Sequence, residues 1–150
     1  MDQPQFLKRK VDVSKITWID VFDKIESDRE GKTLRIAVPK ESHDWNVMTV
    51  KEMILHHGAK NTIACHGDYI PHNMIPILNH MKKYYGMKIF HQYISFNIES
   101  NTLGYHKDTV DVIIVPIIGL IGYNVDGLGE IKMEPGDLLY IPKYTFHEPI

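Results

Sequence analysis

The sequence holds one cysteine, Cys65, in 150 residues. A single thiol excludes an internal disulfide, so core packing must hold the fold, and a reducing cytoplasm is the expected compartment. Long apolar runs are missing as well. The longest, around Val110 to Tyr123, is broken by Asp111, Pro116, Gly119 and Gly122, so no membrane-spanning helix is expected. Neither charge dominates: 17 Lys and Arg stand against 19 Asp and Glu, a formal net charge of −2. That balance argues against a general nucleic-acid or membrane surface. Residues 1–15 are polar, carry Lys8-Arg9-Lys10 and lack the apolar centre of a signal peptide. No repeat, low-complexity tract or linker divides the chain. One domain over residues 1–150 with a single core is the expectation.

Along the chain, residues 1–10 read as a mobile start and Val11 to Ile16 as a first strand or an extended entry. Trp18, Val21, Phe22 and Ile25 recur at helical spacing, which predicts a short helix, with Ser27 to Gly31 as a charged turn behind it. Leu34 to Val38 alternates like a strand. Thr49 to Glu52 fits a capping box for a helix that Gly58 closes. Residues 61–71 read as a loop around a short apolar strand. A further helix runs from His72 to Tyr85, with Pro76 in its first turn and Gly86 at its end. After Gly86 the period changes to two, and Lys88 to Asn97 alternates. Strands and turns follow to the C-terminus. The pattern is mainly β with N-terminal helices, an α+β class: a mostly helical layer over 1–86 and a small β-barrel over 87–150.

Two signals in the last third carry chemistry. On a strand, positions i and i+2 share a face, so His106 and Asp108 can hold one ion while Lys107 points away. The run Gly136-Asp137 to Pro142 then leads to His147, 41 residues after His106, far enough for intervening strands to double back. Two imidazoles and one carboxylate on one face are the ligand set of a mononuclear non-haem iron site with open positions, and they also suit other divalent metals.

Nine histidines make chance matches common, and roughly one His-x-Asp is expected in such a chain. A second does occur, His66-Gly67-Asp68, with His72 just beyond. It lies in a loop between helices with no strand pattern downstream, so a hydrogen-bonded loop histidine is the expected role there. At His106 and His147 the pattern alone leaves a metal site and a pair of structural histidines both open. His56 and His57 at a helix C-terminus and His80 on the next helix read as structural or exposed. Cys65 beside His66 lacks the oriented third group that nucleophilic catalysis needs.

Residues 106–119, from His106-Lys107-Asp108 through Asp111-Val112 and an apolar strand to Gly119, resemble the metal motif of the JmjC-like cupins, in particular the branch containing bacterial ribosomal-protein hydroxylases. Residues 133–142, Met133-Glu134-Pro135-Gly136-Asp137 onward, with His147, are similar to that family's second motif. Weaker echoes lie at Trp45 to Met48 and His91 to Phe96, so the resemblance spans roughly residues 45–150. It implies a double-stranded β-helix (cupin or jelly-roll) barrel and Fe(II)- and 2-oxoglutarate-dependent hydroxylation of a protein or small-molecule substrate. His106, Asp108 and His147 would hold the iron. The family anchors the far carboxylate of 2-oxoglutarate with a Lys or Arg just after the glycine matching Gly119. Here that stretch is Leu120-Ile121-Gly122-Tyr123, so Tyr93, Tyr123 and Lys143 are the candidates for that role. A cupin metalloprotein that does not use 2-oxoglutarate is the competing expectation. The family's barrel also needs more strand than the three residues after His147. An N-terminal segment or a second subunit, as in a homo-oligomer, would supply it; otherwise an edge stays exposed. Tyr144 stands where many cupins carry glycine.

Overall fold

The computed structural model describes residues 2–38, 41–43, 51, 62–96, 102 and 104–150. Among them the protein is mainly β with two α-helices. The chain divides into two compact units, Ile16–Thr102 on one hand and Met1–Lys15 with Leu103–Ile150 on the other.

In the unit of residues 16–102, α1 spans Trp18–Glu30. It starts where the Asp20 carboxylate accepts the Thr17 N–H at 2.9 Å, and it ends at Gly31, whose N–H bonds the Ser27 carbonyl. The expected charged turn at residues 27–31 is thus largely helix. Its charge is not a solvent signal, because Asp28 pairs with Lys24 one turn earlier at 3.1 Å, both side chains being almost wholly buried. Four antiparallel strands follow the helix in the unit: β2 (Leu34–Val38), β3 (Glu41–His43), β4 (Thr62–Cys65) and β5 (Gln92–Ile94), in the order β3-β2-β4-β5. Between β4 and β5, a 3-10 turn at His72–Met74 leads into α2 (Ile75–Tyr85). Gly86 ends α2 in the left-handed conformation, φ 66°, as the sequence pattern predicts.

Two expectations shift here. The strand expected over Lys88 to Asn97 is only three residues long among those described, because β4 offers partners for Gln92, Tyr93 and Ile94 alone. And β5 pairs with β4, so the stretch expected to be a helical layer holds three strands of a sheet that residues 92–94 complete. The helix expected from Thr49 to Gly58 and the Trp45 to Met48 echo lie outside the described residues, apart from Lys51.

The other unit is two three-stranded antiparallel sheets. One has the order β1-β9-β6, from Gln5–Leu7, Leu138–Ile141 and Val112–Ile114; the other is β10-β7-β8, from His147–Pro149, Ile121–Val125 and Gly129–Met133. Val125, Met133, Leu139 and Ile141 form its core, with Phe6, Ile114, Ile121, Tyr123 and Ile131 packed against them. Val11 to Ile16, expected as a first strand or an extended entry, forms no strand, and the first strand is β1. Its place is set by the Pro135-Gly136 turn. The Gly136 carbonyl accepts both the Lys10 and Val11 N–H groups at 2.9 Å, and the Asp137 carboxylate accepts the Arg9 N–H. A Cβ on Gly136 would stand 2.5 Å from the Val11 carbonyl oxygen, and its φ of 90° also favours glycine. The N-terminal strand β1 thus lies beside β9, in the sheet that does not hold β10.

Candidate metal centre

His147 opens β10 directly opposite Val125 of β7, so its side chain shares the core face with Val125 and Tyr123. His106 sits opposite His147 on the other side. The two residues exchange both backbone bonds, His106 N–H to His147 O at 2.9 Å and His147 N–H to His106 O at 2.8 Å. Directly opposed residues of an antiparallel pair project to one face, and the two rings lie 4.5 Å apart between centroids. Asp108, two residues beyond His106, returns to that face. Its Oδ2 is 3.4 Å from His147 Nε2 and its Oδ1 is 3.9 Å from His106 Nε2. One ligand atom from each residue fits within a mutual distance of 4.8 Å.

Each imidazole is also aimed. His106 Nδ1 lies 2.8 Å from the Gly104 carbonyl and His147 Nδ1 lies 3.0 Å from the Thr145 carbonyl. A carbonyl only accepts, so in each neutral ring the proton is on Nδ1 and the Nε2 lone pair is left toward Asp108. This is the outer hydrogen bond that metal-binding histidines use. Metal bonds of about 2.0–2.2 Å would set neighbouring ligand atoms ~3 Å apart, so the trio needs only side-chain adjustment to grip a divalent ion. His147 is 4% exposed, whereas His106 and Asp108 are 27% and 36% exposed, so the site is closed on the core side and open on the other.

The other expected site residues are placed as follows. The Tyr123 ring is 6.4 Å from that of His147. Lys143 is exposed with its Nζ 6.0 Å over the Tyr144 ring, while its backbone N–H bonds Asp111. Tyr93 belongs to the other unit, where it packs edge-on against His66 and His91. Ile121 joins the apolar core, and every Lys and Arg within residues 2–15 and 104–150 is exposed. Tyr144 adopts φ 65°, the left-handed conformation that glycine takes without strain.

The rival motif has a structural role. Lys24 Nζ donates to the Gly67 carbonyl at 2.7 Å, and Gly67 N–H donates to Asp28 Oδ2 at 3.0 Å. His66 stacks on His91 at 4.0 Å. Burial, then the charge of His91, lowers the pKa of His66, and burial lowers that of His91. Burial also pushes the Cys65 thiol up to about 12, so it is no nucleophile. Among the described residues, His106, Asp108 and His147 are the cluster able to hold a metal. On the reverse face Tyr105 stacks on Phe146; each flanks a candidate ligand, and alternation along the two segments is the sequence sign of that placement.

No protein-family model matches the chain. No curated protein matches it either. Solved structures do. An X-ray structure of YcfD from Escherichia coli aligns with a TM-score of 0.74 at 18% identity, covering 97% of this chain and 45% of that one. The chain shares its fold with YcfD. The structure of that protein, described as a ribosomal oxygenase, in complex with cobalt and 2-oxoglutarate aligns with a TM-score of 0.69 at 18% identity, over 98% of this chain and 44% of YcfD. Its complex with cobalt and succinic acid gives 0.67 at 19% identity, over 97% and 44%. This chain therefore spans less than half the length of YcfD. The architecture of the described residues, mainly β with two α-helices, is consistent with a cupin-like fold. No helix among the described residues is long and apolar enough to cross a membrane.

Proposed function

We propose that this chain is a metal-dependent oxygenase, an Fe(II)- and 2-oxoglutarate-dependent hydroxylase in which His106, Asp108 and His147 hold the metal. The observation that carries this reading is the convergence of three donor atoms within 4.8 Å, with both imidazoles tied back through Nδ1. The shared fold with YcfD, solved with cobalt and 2-oxoglutarate, supports it. On this reading the two sheets of the second unit are halves of a double-stranded β-helix, and the chain is one cupin-like domain of a cytoplasmic protein. A protein substrate is favoured over a small molecule, since YcfD is a ribosomal oxygenase.

Fe(II) at this site, with 2-oxoglutarate and oxygen as co-substrates, supplies oxidation of an unactivated C–H bond, with succinate and carbon dioxide as co-products. The residues of the chain bind and orient. Asp108 contributes the single negative charge and the two imidazoles contribute neutral donors, leaving a net positive site that attracts an anionic keto acid. His147, on the core side, fixes the inner position, while His106 and Asp108 border the open side from which a substrate arrives. Tyr123 places an aromatic ring beside His147 on the face it shares with Ile121.

A second reading is favoured by one observation. With Ile121 in the apolar core and the basic residues of 2–15 and 104–150 all exposed, this unit offers no buried cation to a distal carboxylate. The alternative is therefore a cupin metalloprotein that keeps the metal and does not use 2-oxoglutarate. Anaerobic Fe(II) with 2-oxoglutarate separates the two. A weak visible charge-transfer band, followed by succinate on admission of oxygen, is the expected result. Full metal loading with neither band nor succinate rejects the co-substrate and leaves the second reading.

A further inference from the structure

The two candidate ligand histidines are joined by a bridge one residue pair long, yet each is flanked by side chains that meet on the reverse face. Tyr105, next to His106, stacks on Phe146, next to His147, with ring centroids 5.0 Å apart and planes 15° from parallel. Lys107, on the other side of His106, places its Nζ 5.1 Å over the same Phe146 ring. The Tyr105 hydroxyl donates to Asp126 Oδ1 at 2.8 Å, and the Asp126 N–H donates to the Phe146 carbonyl at 3.0 Å. Asp126 lies just past β7, the strand that carries Val125 opposite His147. The ring, the hydroxyl and the ammonium thus fasten the His106 segment to the backbone that fixes His147.

We infer that Tyr105, Phe146 and Asp126 are positioning residues that hold His106 Nε2 in reach of the ion, a role that rests on the metal site proposed above. The physical reason is the shortness of the bridge. Two backbone bonds let the His106 segment twist about the line joining the two residues, and a twist moves Nε2 far more than it moves the backbone. A clamp on the opposite face removes that freedom without adding a ligand. Tyr105 is 52% exposed and Phe146 36%, so this face contributes little to the core. Its effect therefore falls on the geometry of the ligands more than on the stability of the fold.

The experiment is Co(II) titration of the chain by calorimetry, with the visible Co(II) spectrum as a readout of ligand geometry and the thermal midpoint of the metal-free protein as a control. Tyr105→Ala is expected to weaken Co(II) binding about 10-fold and to shift the spectrum, with a metal-free midpoint close to that of the unaltered chain. Tyr105→Phe keeps the stacked ring and loses the hydroxyl, so it is expected to recover most of that loss, ending about 3-fold weaker. Asp126→Ala removes the acceptor of that hydroxyl, so it is expected to match Tyr105→Phe, about 3-fold weaker with a shifted spectrum. Wild-type affinity and spectrum in Tyr105→Ala, or losses that follow the metal-free midpoint alone, overturn the clamp while leaving the metal site intact. Absence of saturable Co(II) binding to the unaltered chain overturns the metal site itself.

Discussion

Consider Gly67→Ala, which places a methyl group between Asp28 and Thr33. The new Cβ would stand 2.5 Å from Asp28 Oδ1 and 2.5 Å from Thr33 Oγ1, distances at which something must move. Asp28 cannot swing aside cheaply. It is buried, paired with Lys24, and accepts the Gly67 N–H. The 66–68 loop must then lift, which breaks the Lys24 bond to the Gly67 carbonyl and the Gly67 bond to Asp28. Each bond involves a charged group, worth about 1.5–3 kcal/mol, so the loss is roughly 3–6 kcal/mol. Reduced freedom of the unfolded chain returns about 0.4–1 kcal/mol on replacing glycine. The expected net destabilisation is about 3 kcal/mol, read as a lowered urea midpoint. Gly86→Ala is the control, since its Cβ meets nothing within 4 Å and only the left-handed backbone is strained, at about 1 kcal/mol. Equal urea midpoints for Gly67→Ala and the unaltered chain would refute the tight junction around the His66-Gly67-Asp68 motif.

Two further outcomes follow from local geometry. The pKa values of His66 and His91 are both lowered in the fold, by burial first, so the folded state binds fewer protons than the unfolded chain as pH falls through the ordinary histidine range. Stability is then full above that range and drops as pH falls from it toward the lowered folded values. Urea midpoints between pH 8 and 5 should show this fall, and His91→Gln should flatten it; an unchanged slope in that variant contradicts the stacked pair as its source. Tyr144→Gly removes the strain of φ 65° and should be neutral or stabilising by about 1 kcal/mol, whereas Tyr144→Val should destabilise by about as much, measured by thermal unfolding.

Local signals in the sequence carried the elements whose causes are local. The start of α1 is legible in Trp18, Val21, Phe22 and Ile25, and the end of α2 in Gly86, because periodicity and a left-handed cap are properties of neighbouring residues. His106 with Asp108 is legible for the same reason: a spacing of two on an extended chain puts both on one face, and the structure brings His147 to them. What escaped depends on distant partners. Gln5–Leu7 is a strand only because the Pro135-Gly136 turn binds Lys10 and Val11 and aligns β1 with β9. Asp28 reads as solvent-facing charge until Lys24 and Gly67 enclose it. Tyr105 and Asp126, 21 residues apart, give no sequence sign of their bond. The apolar Ile121 was legible as a departure at once, and its place in the core gives the second functional reading its weight.

The central claim is that His106, Asp108 and His147 form a metal site, and the most direct measurement is Co(II) binding to tag-free protein by calorimetry, with His106→Ala and His147→Ala in parallel. One ion per chain is expected, with affinity reduced more than about 100-fold in either variant, because each removes an entire imidazole donor. No saturable binding, or binding that both variants retain unchanged, would contradict it.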